Sequence, residues 1–236
     1  MADAVTYTAL RNALARKQYS NVYFIHGEEG YYIDELAGLF ETILPESERD
    51  FNQYTLYAPQ TDAATVSEAC QRYPMMAERQ VVIVKEAQAV PVAWFNKLLP
   101  YLESPVATTL LVIIARGASV KSATLTKSLA KGRAVVFESK RLAPAAVTNT
   151  IREFIRERGL TIDDKALAML QDYVGSDLSR IYNEIGKMTV ALPANAMITP
   201  ESVERNIGVS KDYNNFELIA AIARRDVPRI LSLIHI

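Results

Sequence analysis

A single cysteine, Cys70, in 236 residues leaves no partner for a disulfide framework and no thiolate set for a metal cage. That usage fits a reducing compartment, and a cytoplasmic protein is expected. Excess charge is missing too. The 26 Lys and Arg stand against 27 Asp and Glu, a formal net charge of −1, so nothing global draws the chain to nucleic acid or an anionic membrane. No apolar run approaches the length that spans a bilayer, and the start, MADAVTYTALRN, lacks the cationic and apolar regions of a leader; neither export nor anchoring is expected. Internal repeats and low-complexity segments are also absent. Histidine is scarce, and His26, with no Ser or Cys partner in a recognisable motif, reads as a packing or hydrogen-bonding residue rather than a base. The local basic cluster Arg152, Arg156 and Arg158 is open to contact with nucleic acid or an anionic membrane, but reads more simply as a solvated helix face.

A hydrophobic content of 50 % against 22 % charged residues suffices for a substantial core, and the length suggests more than one folding unit. Over residues 1–140, short β-rich runs alternate with helical patterns. The strand candidates are 22–25, 51–56, 81–84, 110–115 and 134–137. Helical spacing covers 6–17 before them and 32–42, 63–73, 92–102 and 121–131 between them. The near-continuous apolar runs VVIV and LLVIIA predict strands covered on both faces, hence a doubly wound, mainly parallel α/β sheet. Trp94, Leu98 and Leu99 share one face of a helix, which favours packing over a base-stacking platform.

After residue 140 the β pattern stops and the rest reads as helices. One covers 144–158, ended by Gly159. Thr161 is expected to cap the next, with Asp164 as its capping-box partner and Gly175 as its stop. Ser176 or Asp177 caps a helix carrying Leu178, Ile181, Ile185 and Met188, and another runs from Thr199 and Pro200 to near Gly208. Residues 214–236 open like an amphipathic helix and end in the apolar LSLIHI, so the chain is expected to be truncated, with its final residues open to question as native sequence.

The segment VYFIHGEEGYYIDEL, residues 22–36, has the layout of a phosphate-binding strand, loop and helix. Such a loop needs glycines to expose backbone N–H groups, a Lys for the β/γ oxygens and a Ser or Thr hydroxyl for Mg²⁺. Gly27 and Gly30 are in place, but Tyr31, Tyr32 and Ile33 follow, and the next Lys is Lys85. Glu28 and Glu29 occupy the loop and would repel a polyphosphate. Gly27 and Gly30 therefore mark a degenerate phosphate loop.

Several segments together resemble the delta subunit of the bacterial DNA polymerase III clamp loader. They are VYFIHGEEGYYIDEL, YPMMAERQVVIVKEA, AVVFESKRL, GSDLSRIYNEIGKM and NNFELIAAIARRD, and their order and spacing span nearly the whole chain. The resemblance implies an AAA+/RecA-like α/β domain over 1–140 that binds the clamp, a helical lid over 141–211, and the start of a truncated helical collar over 212–236. An active AAA+ ATPase ends its third strand with Asp-Glu to hold Mg²⁺; here Lys85 and Glu86 follow Val81–Val84, and an ammonium there opposes the metal. If the alignment is displaced and Lys85 is a plain surface residue, the consequence is the same. No catalytic residue, cofactor or metal is assigned, and no ATPase or polymerase activity is expected of this chain.

The resemblance also implies a pair of apolar residues before the third strand that wedge into a pocket of the sliding clamp. Pro74, Met75 and Met76 hold that place, although the family more often has Leu followed by an aromatic. Taken without the resemblance, adjacent methionines at a helix end are core filler. Arg79 and Gln80 match the family pattern and are expected to orient the turn, with capping of the preceding helix an equal reading of Arg79. The implied partners are the sliding clamp, other loader subunits through the collar, and primed DNA within the assembly, with no membrane. The competing readings are an AAA+ ATPase with an unusual phosphate loop and an oligomer scaffold without clamp contact. The scaffold reading predicts that Met75 and Met76 are buried.

Overall fold

The computed structural model describes residues 5–117, 122–207 and 222, and the chain divides into two compact units, Met1–Arg141 and Leu142–Ile236. Apart from Ile222, the expected collar segment, including the apolar residues Leu231, Leu233, Ile234 and Ile236, lies outside the described residues.

In the first unit, helix α1 (Tyr7–Ala15) precedes strand β1 (Val22–Gly27), followed by α2 (Gly30–Glu41), α3 (Glu46–Asn52), β2 (Gln53–Tyr57) and α4 (Ala63–Cys70). Strand β3 (Gln80–Lys85), α5 (Val92–Glu103), β4 (Thr109–Arg116), α6 (Ala123–Lys131) and β5 (Val135–Ser139) complete it. The five strands form one parallel sheet in the order β2-β3-β4-β1-β5. Every residue of β1 is buried, as is all of β4 except its terminal Arg116, because helices cover both faces. Alternate residues feed two cores. Val22, Phe24, Val82, Val84, Leu111 and Ile113 join Val66, Phe95, Leu98 and Leu125 from α4, α5 and α6. Tyr23, Ile25, Val81, Ile83 and Val112 join Leu10, Ile33, Leu36 and Phe40 from α1 and α2.

One boundary of the sequence reading is corrected here. The strand expected at 51–56 begins at Gln53, since Phe51 and Asn52 end the separate helix α3. Pro45 at the N-cap with Glu46 and Glu48 in the first turn favours that helix, because the acids complement its N-terminal dipole.

The second unit holds α7 (Pro144–Glu157), β6 (Thr161–Ile162), α8 (Asp164–Val174), α9 (Leu178–Ala191), β7 (Met197–Ile198) and α10 (Pro200–Ile207). Ile151, Leu170, Ile181, Ile185, Met188 and Val203 form its buried interior. Two expectations fail in this unit. It is not wholly helical, since β6 and β7 pair in parallel. Thr161 is not an N-cap: its N–H donates to the Ala196 carbonyl at 3.1 Å, which places it in that ladder. Asp163 caps α8 instead, its Oδ1 accepting from the Lys165 and Ala166 N–H groups at 2.8 and 3.3 Å. Asp177, one of the two candidates, caps α9 through the Arg180 N–H.

Candidate functional site

Two places gather the residues singled out in the sequence. The first is the loop leaving β1. Gly27 sits at φ +136°, and a Cβ there would lie 2.1 Å from the Ser139 carbonyl oxygen at the end of β5. That carbonyl accepts from the Glu28 and Glu29 N–H groups at 2.8 and 3.1 Å, while the Ser139 hydroxyl donates to the Glu29 carbonyl at 2.8 Å. The backbone donors that would cradle a phosphate are thus turned onto the neighbouring strand. The Glu29 carboxylate caps α2, accepting from the Tyr31 N–H at 3.0 Å, so a protein anion already occupies the helix N-terminus. At Gly30 a Cβ would come 2.8 Å from the Arg116 guanidinium, which pairs with Asp34 at 2.8 Å. Burial raises the Asp34 carboxyl above its usual range, opposed by Arg116 and Lys85.

Lys85, at the end of β3, pairs with Glu41 at 2.6 Å; that hydrogen bond leads the causes that raise its ammonium above the ordinary lysine range. His26 is buried beside the Phe24 ring, its Nδ1 finding no hydrogen-bond partner among the described residues, and burial lowers its pKa against the opposing effect of Glu138. The imidazole is therefore favoured in its neutral form. Trp94 donates its indole N–H to the Thr61 carbonyl and Phe95 is buried, both as packing residues. Among the described residues no three His, Cys, Asp or Glu side chains converge on a possible metal position, and no helix is long and apolar enough to cross a membrane. Loop donors already used, a carboxylate on the helix N-terminus and a Lys–Glu pair at the strand end do not fit Mg²⁺–nucleotide.

The second place is the turn between α4 and β3. Met75 is 60 % exposed and Met76 103 %, with Tyr73 at 86 % beside them and Pro74 partly covered. Met76 adopts φ +53°, the left-handed region. Gln80 fixes the exit of the turn. Its buried amide shares its N–H donors among the Ala69, Cys70 and Arg72 carbonyls and the Thr109 hydroxyl at 2.8–3.3 Å, satisfying the C-terminal end of α4. Arg79 does not take that place: its guanidinium lies over the Tyr19 ring, 4.8 Å from the centroid. Asn52 holds the middle of the turn, with its Oδ1 accepting from the Met75 N–H at 2.7 Å and its Nδ2 donating to the Met75 carbonyl at 3.0 Å. Pro74, Met75, Met76 and Arg79 thus lie on one segment between α4 and β3, with the Arg79 guanidinium turned onto Tyr19. Asn52 was not singled out by sequence; the signal that finds it is the helix-start pattern at Pro45.

A parallel sheet in the order β2-β3-β4-β1-β5, with a loop and helix after β1, is the AAA+-type α/β arrangement, carrying here a loop not arranged for nucleotide. The solved Bacillus subtilis DNA clamp loader delta protein superposes with a TM-score of 0.74 at 24 % identity, covering 98 % of this chain and 70 % of that one. The Thermotoga maritima RuvB Holliday junction branch migration motor shares the fold more loosely, with a TM-score of 0.51 at 16 % identity, over 91 % of this chain and 72 % of its own. In sequence, DNA polymerase III subunit delta of Bacillus subtilis (strain 168) is 26 % identical over 233 residues, 94 % of this chain and 67 % of the relative. The family model for DNA polymerase III, delta subunit, matches residues 23–140. The chain belongs to the DNA polymerase III delta subunit family.

Proposed function

We propose that this chain is a non-catalytic subunit of the DNA polymerase III clamp loader that binds the sliding clamp and helps open it for loading onto primed DNA. The observation that carries the reading is the presentation of Met75 and Met76 on a turn tied down by the Asn52 and Gln80 side chains. Solvent-exposed apolar side chains on a restrained backbone suit a partner's pocket, and methionine adapts its rotamers to such a pocket. Pro74 and Arg79 belong to the same contact, Pro74 by stiffening the turn and Arg79 by anchoring its exit on Tyr19. Residues 1–140 form the clamp-binding domain in this reading, 141–211 the lid and 212–236 the start of a collar through which other loader subunits join. Gly27 and Gly30 remain as a structural relic of a phosphate loop, and ATP bound elsewhere in the assembly governs when the Met tip is accessible. The setting is the bacterial cytoplasm.

The test is surface plasmon resonance of the chain against its cognate sliding clamp, with a Met75→Ala/Met76→Ala double variant checked for unchanged thermal unfolding. Saturable binding that the double variant loses by roughly a hundredfold, as removal of two central apolar anchors would give, supports the reading. A folded wild-type chain that does not bind counts against the reading and turns to the scaffold alternative, whereas a double variant that binds like wild type leaves clamp binding in place and removes Met75 and Met76 as its contact.

A further inference from the structure

We propose that Asn52 is the positioning residue of the Met75–Met76 tip, holding it in the form that the clamp receives; this rests on the clamp contact proposed above. Asn52 is 1 % exposed and lies at the end of α3, 23 positions from Met75 in sequence. Both N–H donors of its amide and its oxygen are engaged. One oxygen accepts from the Met75 N–H, and the two N–H donors serve the Met75 carbonyl and, at 3.1 Å, the Glu48 carbonyl. Those partners fix the amide orientation, because the flipped form would set an NH₂ against an N–H and an oxygen against two carbonyls.

The pairing reproduces, from a side chain, the two-bond contact that a neighbouring strand makes with an extended residue. It seizes the backbone immediately before Met76, where φ is +53°. An L-residue enters that region at a cost, and the conformation persists only where its surroundings determine it. The Met76 side chain is fully exposed, so packing against the described residues does not do so. Asn52 supplies the restraint from one side and Gln80 from the other. Without Asn52 the turn samples other forms, and the apparent affinity falls with the fraction of molecules still presenting both methionines.

The experiment compares wild type, Asn52→Ala and Met75→Ala/Met76→Ala by surface plasmon resonance on the same clamp. Amide hydrogen exchange at Met75 is followed by NMR in the free proteins. Asn52→Ala is expected to bind about tenfold more weakly, with the loss in the association rate and the dissociation rate little changed, since the contacts formed once docked are intact. The Met double variant is expected to lose affinity chiefly through faster dissociation. The Met75 amide exchanges slowly in wild type and fast in Asn52→Ala. A wild-type chain that binds through its methionines, joined by an Asn52→Ala variant with unchanged rates, overturns the positioning role alone. A failure of wild type to bind overturns the clamp reading, and binding that the Met substitutions leave unchanged overturns the Met75–Met76 tip as the contact and the positioning role with it. If Asn52→Ala does not fold, wild type still decides: a Met75 amide that exchanges as fast as that of exposed Glu78 overturns the proposal.

Discussion

Gly27 meets two demands that another residue cannot meet together. Its φ of +136° lies where side chains are strained, and the Ser139 carbonyl stands 2.1 Å from where a Cβ would be. The obstruction is backbone at the end of β5, held in turn by the Glu28 and Glu29 N–H groups, so it cannot rotate aside as a side chain would. Gly27→Ala is therefore expected to destabilise the fold by roughly 2–4 kcal/mol, read as a lowered urea midpoint at unchanged slope. A cost under about 0.5 kcal/mol would mean that β5 gives way freely, and the account of the loop as locked onto Ser139 would fall. The glycine itself was legible in the sequence as part of a phosphate-loop layout. Its present use was not, because the residue that claims the loop donors is 112 positions away, and no local pattern announces such a meeting.

Long apolar runs announced themselves where elements are buried on both faces: VVIV lies within β3 and LLVIIA within β4, each strand extending one residue further at either end. Short elements did not. Helix α3 spans seven residues and buries only Asn52, so it leaves no apolar periodicity to read. Thr161 looked like a cap because Thr with an acid three residues later is a capping signal, but the pairing of β6 with β7 recruited it and passed the role to Asp163. For the turn, sequence placed Met75 and Met76 correctly between helix and strand, while the ties that shape it come from Asn52 and Gln80, whose partners are distant. Gln80 joins α4, β3 and β4 through one buried amide. Gln80→Ala leaves the Ala69 and Arg72 carbonyls without this donor, an expected loss of about 1–3 kcal/mol in thermal or urea unfolding. If Gln80→Ala unfolds at the wild-type midpoint, the C-terminal end of α4 is satisfied by other means and Gln80 is not what fixes the turn's exit.

In the molecule as a whole, the parallel sheet keeps an arrangement that elsewhere serves nucleotide chemistry, while its loop and strand ends have been given over to internal contacts. Three separate substitutions point the same way. The Glu28 and Glu29 N–H groups bind Ser139, the Glu29 carboxylate caps α2, and Lys85 pairs with Glu41 at the end of β3. Each stands against Mg²⁺–ATP, and the loop itself offers no Lys for the β/γ oxygens. A ligand present at a hundred times its Kd stabilises the native state by about 2.7 kcal/mol, which for a chain of this size shifts Tm by roughly 5–10 °C. Differential scanning calorimetry with and without millimolar Mg²⁺–ATP is thus a sensitive detector, and the expected result is an unchanged Tm. A saturable rise of several degrees would mean that the Ser139 contacts open to admit the nucleotide. The exposed methionines would then have to be understood as part of a nucleotide-driven switch within this chain, rather than as a tip whose presentation is governed by ATP bound elsewhere.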